Sequence, residues 1–160
     1  MTEPLPLITG NTLATMVVRV TAQMVVGGAL ASRDWSPQHH DADWAKRAGL
    51  AAVIMNNPTQ LGLISRYVTD RLGWRSRVLR LGCRMKAAIV PGDEIELSGM
   101  VTALDPRPGL GQLACVSVNF HREGRVVTEG RAQLGIPAPG MEALAWRAAR
   151  QTWMIEEEGA

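Results

Sequence analysis

Asp34 and His39 stand five residues apart in Asp34-Trp35-Ser36-Pro37-Gln38-His39, across a segment that Pro37 keeps from being plain helix throughout. A carboxylate and an imidazole brought together can divide the work on one water molecule. One orients and deprotonates it; the other delivers or receives the second proton. Residue types alone leave a second reading open, an N-cap aspartate beside a hydrogen-bonded surface imidazole, which such a pair more often is. His39-His40-Asp41 also invites a metal, but zinc asks for three or four ligands. The remaining histidine, His121, belongs to a distant segment, and Cys83 and Cys115 fall in apolar or alternating stretches, so no metal is expected.

Asn56-Asn57-Pro58 is a strong helix start, an amide side chain before a proline in the first turn. Such a start offers free backbone N–H groups and the positive end of the helix dipole, which suits a carbonyl oxygen turning into an enolate. An ordinary helix cap is the alternative. Joined with Asp34 and His39, it makes a hydration site, with water activators on one side and an oxyanion donor on the other. No Gly-x-Ser-x-Gly elbow and no Gly-x-Gly-x-x-Gly fingerprint occurs.

The elements that must position these residues are read from periodicity. Residues 1–12 form an extended lead-in, and Met16–Val20 a short strand. Thr21 caps a helix running towards Ala31-Ser32, weakened by Gly27-Gly28. A short helix from Asp43 to Ala48 stops at Gly49. The helix from Thr59 to Leu72 puts Leu61, Ile64, Val68 and Leu72 on one face and ends at Gly73. After Gly73 the period drops to two: Leu79 to Ala87, Glu94 to Leu104, Gln112 to His121 and Arg125 to Leu134 read as strands, with breaks at 91–93, 105–109 and 122–124. Helix first and antiparallel strands after it argue for an α+β domain whose sheet wraps the long helix. Residues 1–137 are expected to form that single domain, with 138–160 a C-terminal extension: a helix over 141–155 and an acidic tail.

A chain of 160 residues, 46% apolar, suits one domain with a real core. A formal charge of +2 with scattered arginines gives no nucleic-acid footprint. No stretch approaches the ~20 apolar residues that span a bilayer. The acidic, proline-bearing N-terminus does not look like a signal peptide, and two buried, reduced thiols fit a cytoplasmic protein.

The segment Ser32 to Asp41, followed by Ala45-Lys46-Arg47-Ala48-Gly49, resembles the hydratase motif of the MaoC-like (R)-specific enoyl-CoA hydratases: Asp, aromatic, Asn, Pro, any residue, His, any residue, Asp. The resemblance continues through Gly62 to Asp70 and Pro91-Gly92-Asp93, covering roughly residues 14–135. In Ile54 to Asp70 it is most like the small subunits of actinobacterial steroid side-chain-degrading hydratases. It implies a hot-dog fold, a long central helix wrapped by an antiparallel sheet. It further implies a hydro-lyase in which Asp34 and His39 activate the water that adds to a trans-2-enoyl-CoA, with a bulky or steroid-derived acyl chain. No cofactor is implied, coenzyme A being part of the substrate. The partner implied is a second hot-dog subunit, in a homodimer or a heteromer.

In that family a glycine N–H at the start of the central helix polarises the thioester carbonyl, and Asn57 matches its position. Two departures follow: Asn56-Asn57 replace the family's His-Gly pair, and Ser36 replaces the motif Asn. Asn57 keeps a backbone donor if its φ/ψ suits asparagine; Ser36 keeps a hydrogen-bonding group of shorter reach. Asn57, Ser36 and Asn56 are therefore the expected oxyanion and substrate-positioning residues. Arg77, Arg80, Arg84 and Lys86 either meet the CoA phosphates or form a solvated outer sheet face, and the second is the usual state of alternating charges. A hot-dog acyl-CoA thioesterase, or a non-catalytic partner subunit, are the competing readings; the Asp34–His39 pair argues against both.

Overall fold

A computed structural model describes residues 7–154. The first half of the expected lead-in and the expected acidic tail lie outside them. Strand β1 (Thr12–Arg19) leads into helix α1 (Ala22–Ala31), a 3-10 turn (Pro37–His39) and α2 (Ala42–Arg47). Helix α3 (Asn57–Leu72) precedes strands β2 (Arg77–Met85), β3 (Glu94–Arg107), β4 (Gly111–Arg122) and β5 (Arg125–Pro137). The chain closes with α4 (Glu142–Arg147) and α5 (Arg150–Trp153). The strands form one antiparallel sheet in the order β1-β3-β4-β5-β2, which wraps α3 as expected. None of the described helices is long and apolar enough to cross a membrane.

Local chemistry sets the helix ends. Thr21 Oγ1 accepts from the Met24 N–H, and Asn56 Oδ1 accepts from the Thr59 N–H. Gly49 and Gly73 take φ of +80° and +97° just past α2 and α3, where only glycine is at ease. The covered face of α3 differs from the expected stripe. Ile64 and Val68 are buried, but their companions are Gln60, Leu63 and Tyr67, while Leu61 and Leu72 sit at its half-covered margin. The face is rotated because a polar residue, Gln60, can be buried where the sheet supplies it a partner. The helix also sits close to the sheet: a Cβ on Gly130 of β5 would lie 2.6 Å from Ile64 Cδ1.

Three further expectations are corrected. Cys83 and Cys115 are half-buried, not buried: Cys83 packs against the core beside Asn57, and Cys115 meets Gln133. Strand β3 runs through Asp105-Pro106 to Arg107, its partners on β4 continuing opposite. The single helix expected over 141–155 is two short ones, with Ala148 and Ala149 extended between them. The break is tertiary in origin. Arg77 Nη1 donates to the carbonyls of Ala145, Trp146 and Ala148, capping the end of α4, and the fully buried Trp153 donates Nε1–H to the Ala145 carbonyl.

Candidate active site

Helix α1 ends in a Schellman motif that delivers Asp34. The Arg33 N–H bonds to the Leu30 carbonyl and the Asp34 N–H to the Ala29 carbonyl, with Arg33 at φ +56°. Glycine usually holds that left-handed position; here it is an arginine. Asp34 is thus the second residue beyond the C-cap Ser32, its backbone hydrogen-bonded in place.

His39 comes from the 3-10 turn that Pro37 opens. Two bonds lace this turn to the apolar segment before α3: the Ile54 N–H donates to the Gln38 carbonyl at 3.0 Å, and the Ile54 carbonyl receives His39 Nδ1–H at 2.7 Å. A carbonyl can only accept, so Nδ1 carries a proton and Nε2 is left to face the cleft. His39 is 4% exposed. Its Nε2 lies 3.2 Å from Asp34 Oδ2 and 3.2 Å from Gln38 Nε2.

Asn56 is 1% exposed, and every hydrogen-bonding position of its amide is taken. Oδ1 accepts from the Thr59 N–H and hydroxyl; Nδ2 donates to Ser32 Oγ at 2.8 Å and to Asp34 Oδ2 at 3.1 Å. It therefore caps α3 and holds the carboxylate, its amide donors going to Ser32 and Asp34. The Asn56 bond is the main cause holding the Asp34 carboxyl below the usual carboxylate range, against its partial burial. The Ser36 N–H and the nearby imidazole add to it.

Asn57 is the first residue of α3 in ordinary helical backbone; among the described residues only Arg33 and Glu123 are non-glycines at positive φ. Asparagine at the glycine position therefore brings no backbone strain. Among the described residues no acceptor takes the Asn57 N–H, as expected of an orphan donor in a first helical turn. Its side chain turns to β2, donating to Cys83 Sγ at 3.3 Å, while burial pushes the Cys83 thiol up. Ser36 stands apart: its N–H makes a long 3.4 Å contact to Asp34 Oδ1, and its hydroxyl has no hydrogen bond among the described residues.

Asp34, His39 and Asn57 border one cleft of about 410 Å³, walled on the far side by Met85 to Ala88 and floored by Met55 and Gln60. Ser36 does not line it. Gln38 and Gln60 do, and sequence reasoning passed over both; the signal for Gln60 was a polar residue four before Ile64 on a helix face otherwise apolar. His40 and Asp41 are structural, His40 Nε2 meeting the Trp35 carbonyl and Asp41 capping α2 through the Trp44 N–H. Of the basic residues, Arg77 is spent on α4 and Lys86 pairs with Glu129, leaving Arg80 and Arg84 exposed on the outer face.

No family model matches the chain. Over 81 residues it is 37% identical to the 3-oxo-4,17-pregnadiene-20-carboxyl-CoA hydratase beta subunit of Mycobacterium tuberculosis, spanning 51% of this chain and 63% of that one. The matched stretch is thus less than two-thirds of the relative's length. A chain of the ChsH1–ChsH2 complex from Mycobacterium tuberculosis superposes with a TM-score of 0.74 at 28% identity, over 81% of this chain and 98% of its own. The (R)-hydratase from A. caviae involved in PHA biosynthesis gives 0.73 at 25% identity, over 84% and 100%.

Proposed function

We propose that this chain, which has the hot-dog fold of the MaoC-like hydratases and dehydratases, adds water to a trans-2-enoyl-CoA thioester. The observation that carries this reading is the 3.2 Å contact of Asp34 Oδ2 with His39 Nε2 beside a cleft that Asn57, the first residue of α3, also lines.

Hydration needs a base for water, an acid for Cα and a donor for the thioester oxygen. In the ion-paired state, the Asp34 carboxylate accepts a proton from water as the water oxygen bonds Cβ. The π electrons move to the thioester oxygen, which the Asn57 N–H faces. His39 Nε2–H then protonates Cα, and proton exchange across the Asp34–His39 contact restores the pair. The sequence is redox-neutral and calls on no cofactor.

A bulky, steroid-derived acyl chain is the substrate class we favour, since the curated relative is named for a pregnadiene carboxyl-CoA thioester. A second hot-dog subunit is the partner we favour. The cleft opens beside Met85 at the end of edge strand β2, and the structural relative belongs to a two-protein complex.

The test is absorbance of the conjugated enoyl thioester, with medium-chain and steroid-derived enoyl-CoAs, for the chain alone and with a candidate partner subunit. Loss of the enoyl band, abolished by Asp34→Asn and by His39→Ala, is expected. Release of free CoA thiol without hydration would instead make the protein a thioesterase.

A further inference from the structure

Helix α3 presses an apolar face on the sheet, yet near its N-terminus that face carries a glutamine. Gln60 is 1% exposed. Thr128 of β5, itself fully buried, donates its hydroxyl to Gln60 Oε1 at 2.7 Å, and Gln60 Nε2 donates to the Met55 carbonyl at 3.4 Å. Both contacts demand the same amide orientation, since turning it over would set Oε1 against the Met55 oxygen. The amide has two N–H bonds, and among the described residues only the Met55 carbonyl takes one, at 3.4 Å, longer than an ordinary N–H···O bond. A buried, unpaired N–H is destabilising, and an aliphatic side chain here would avoid it. Gln60 nevertheless borders the cleft that holds Asp34 and His39.

The side chain runs back along α3 towards the cleft end of the helix. Helical side chains lean towards the N-terminus, and Gln60 reaches the carbonyl of Met55, which precedes the N-cap. Its amide thus lies beside the start of α3, and Gln60 and Asn57 border the same cleft. We infer that Gln60 Nε2 is a second oxyanion donor, joining the Asn57 N–H on the thioester oxygen as that oxygen takes up the enolate charge. Thr128 is a positioning residue that acts through Gln60 by fixing its amide. The inference rests on the hydratase reading above.

The experiment uses the full chain, with its partner subunit if hydration requires one, on an enoyl-CoA that the wild type hydrates. Gln60→Leu is expected to lower kcat by about 10²-fold with KM changed little, because the donor matters most once charge has developed. Thr128→Val should lose less, in the same parameter, and Thr128→Ser should recover it. The carbonyl stretch of bound enoyl-CoA, read by infrared difference spectroscopy, should lie lower in the wild type than in either Gln60→Leu or Thr128→Val. A folded Gln60→Leu protein with kcat within twofold of wild type overturns the inference. Should Gln60→Leu fail to fold, an unmoved stretch in Thr128→Val overturns it equally. A wild type that hydrates no enoyl thioester sinks the hydratase reading and this inference with it, a result distinct from a variant that works as well as its parent.

Discussion

Asp34 Oδ2 lies 3.2 Å from His39 Nε2, and each side chain is held by a further group, Asn56 Nδ2 on that same carboxylate oxygen and the Ile54 carbonyl on the far ring nitrogen of the imidazole. Two groups so fixed act as one unit. Asp34→Asn and His39→Ala should each cost hydration at least about 10²-fold, and the double variant should be little worse than the poorer single one. Steady-state kcat/KM for all four proteins checks this, and additive losses would show two independent roles.

Removing the Asn56 amide should change the pH dependence. Its hydrogen bond is the largest influence lowering the Asp34 pKa in the folded state. A depressed carboxylate pKa means that the charged form, and the stability it brings, persists below the ordinary value of about 3.9 and is lost only as pH falls through the folded pKa. Asn56→Ala takes away that donor, so the acid limb of the kcat/KM profile should move to higher pH. An acid limb that stays in place would mean that Asp34 is not the group titrating there.

Arg33 occupies a left-handed position at φ +56° where glycine carries no steric penalty. Arg33→Gly should stabilise the fold by up to about 1 kcal/mol, the relief of strain being partly offset by the freer unfolded chain. A melting midpoint about 2–4 °C higher is the expected reading. A lower midpoint would assign the arginine a contact that outweighs its backbone strain.

Trp153 anchors the C-terminal extension. It is fully buried with Leu110 and Ala145, and Arg107 Nε donates to its carbonyl at 2.9 Å. Trp153→Ala should cost about 3–5 kcal/mol, enough to free α4 and α5 from the sheet. Hydrogen exchange should then accelerate from Ala145 to Trp153 while α3 stays protected. Equal acceleration in both would make the extension and the cleft one cooperative unit.

What the sequence disclosed was what neighbours in the chain decide. The caps at Thr21 and Asn56, the stops at Gly49 and Gly73 and the alternation of the strands rest on local chemistry, and the structure has them close to the expected positions. The nearness of Asp34 and His39 was legible for the same reason, since one proline-bent turn separates them. The groups that hold them were not. Asn56 meets Asp34 from 22 residues away, and Thr128 meets Gln60 from 68. No periodicity marks such pairs, and a polar residue on an apolar helix face only hints at them. The Schellman motif was hidden because arginine stands where a glycine would have announced it, and the break between α4 and α5 because Arg77 and Trp153 impose it from outside the segment.

Gly28 sits where α1 meets α3, and a Cβ there would lie 2.0 Å from Thr59 Oγ1, the hydroxyl that also bonds Asn56. On the hydratase reading, α1 leads to the base and α3 to the oxyanion donors, so their spacing sets the distance across the reacting group. A conjugated enoyl thioester is planar from Cβ to its carbonyl oxygen, so each of its two planar rotamers fits one separation of water and donor. On that reading the separation is set away from the cleft, by the absence of a single methyl group at Gly28.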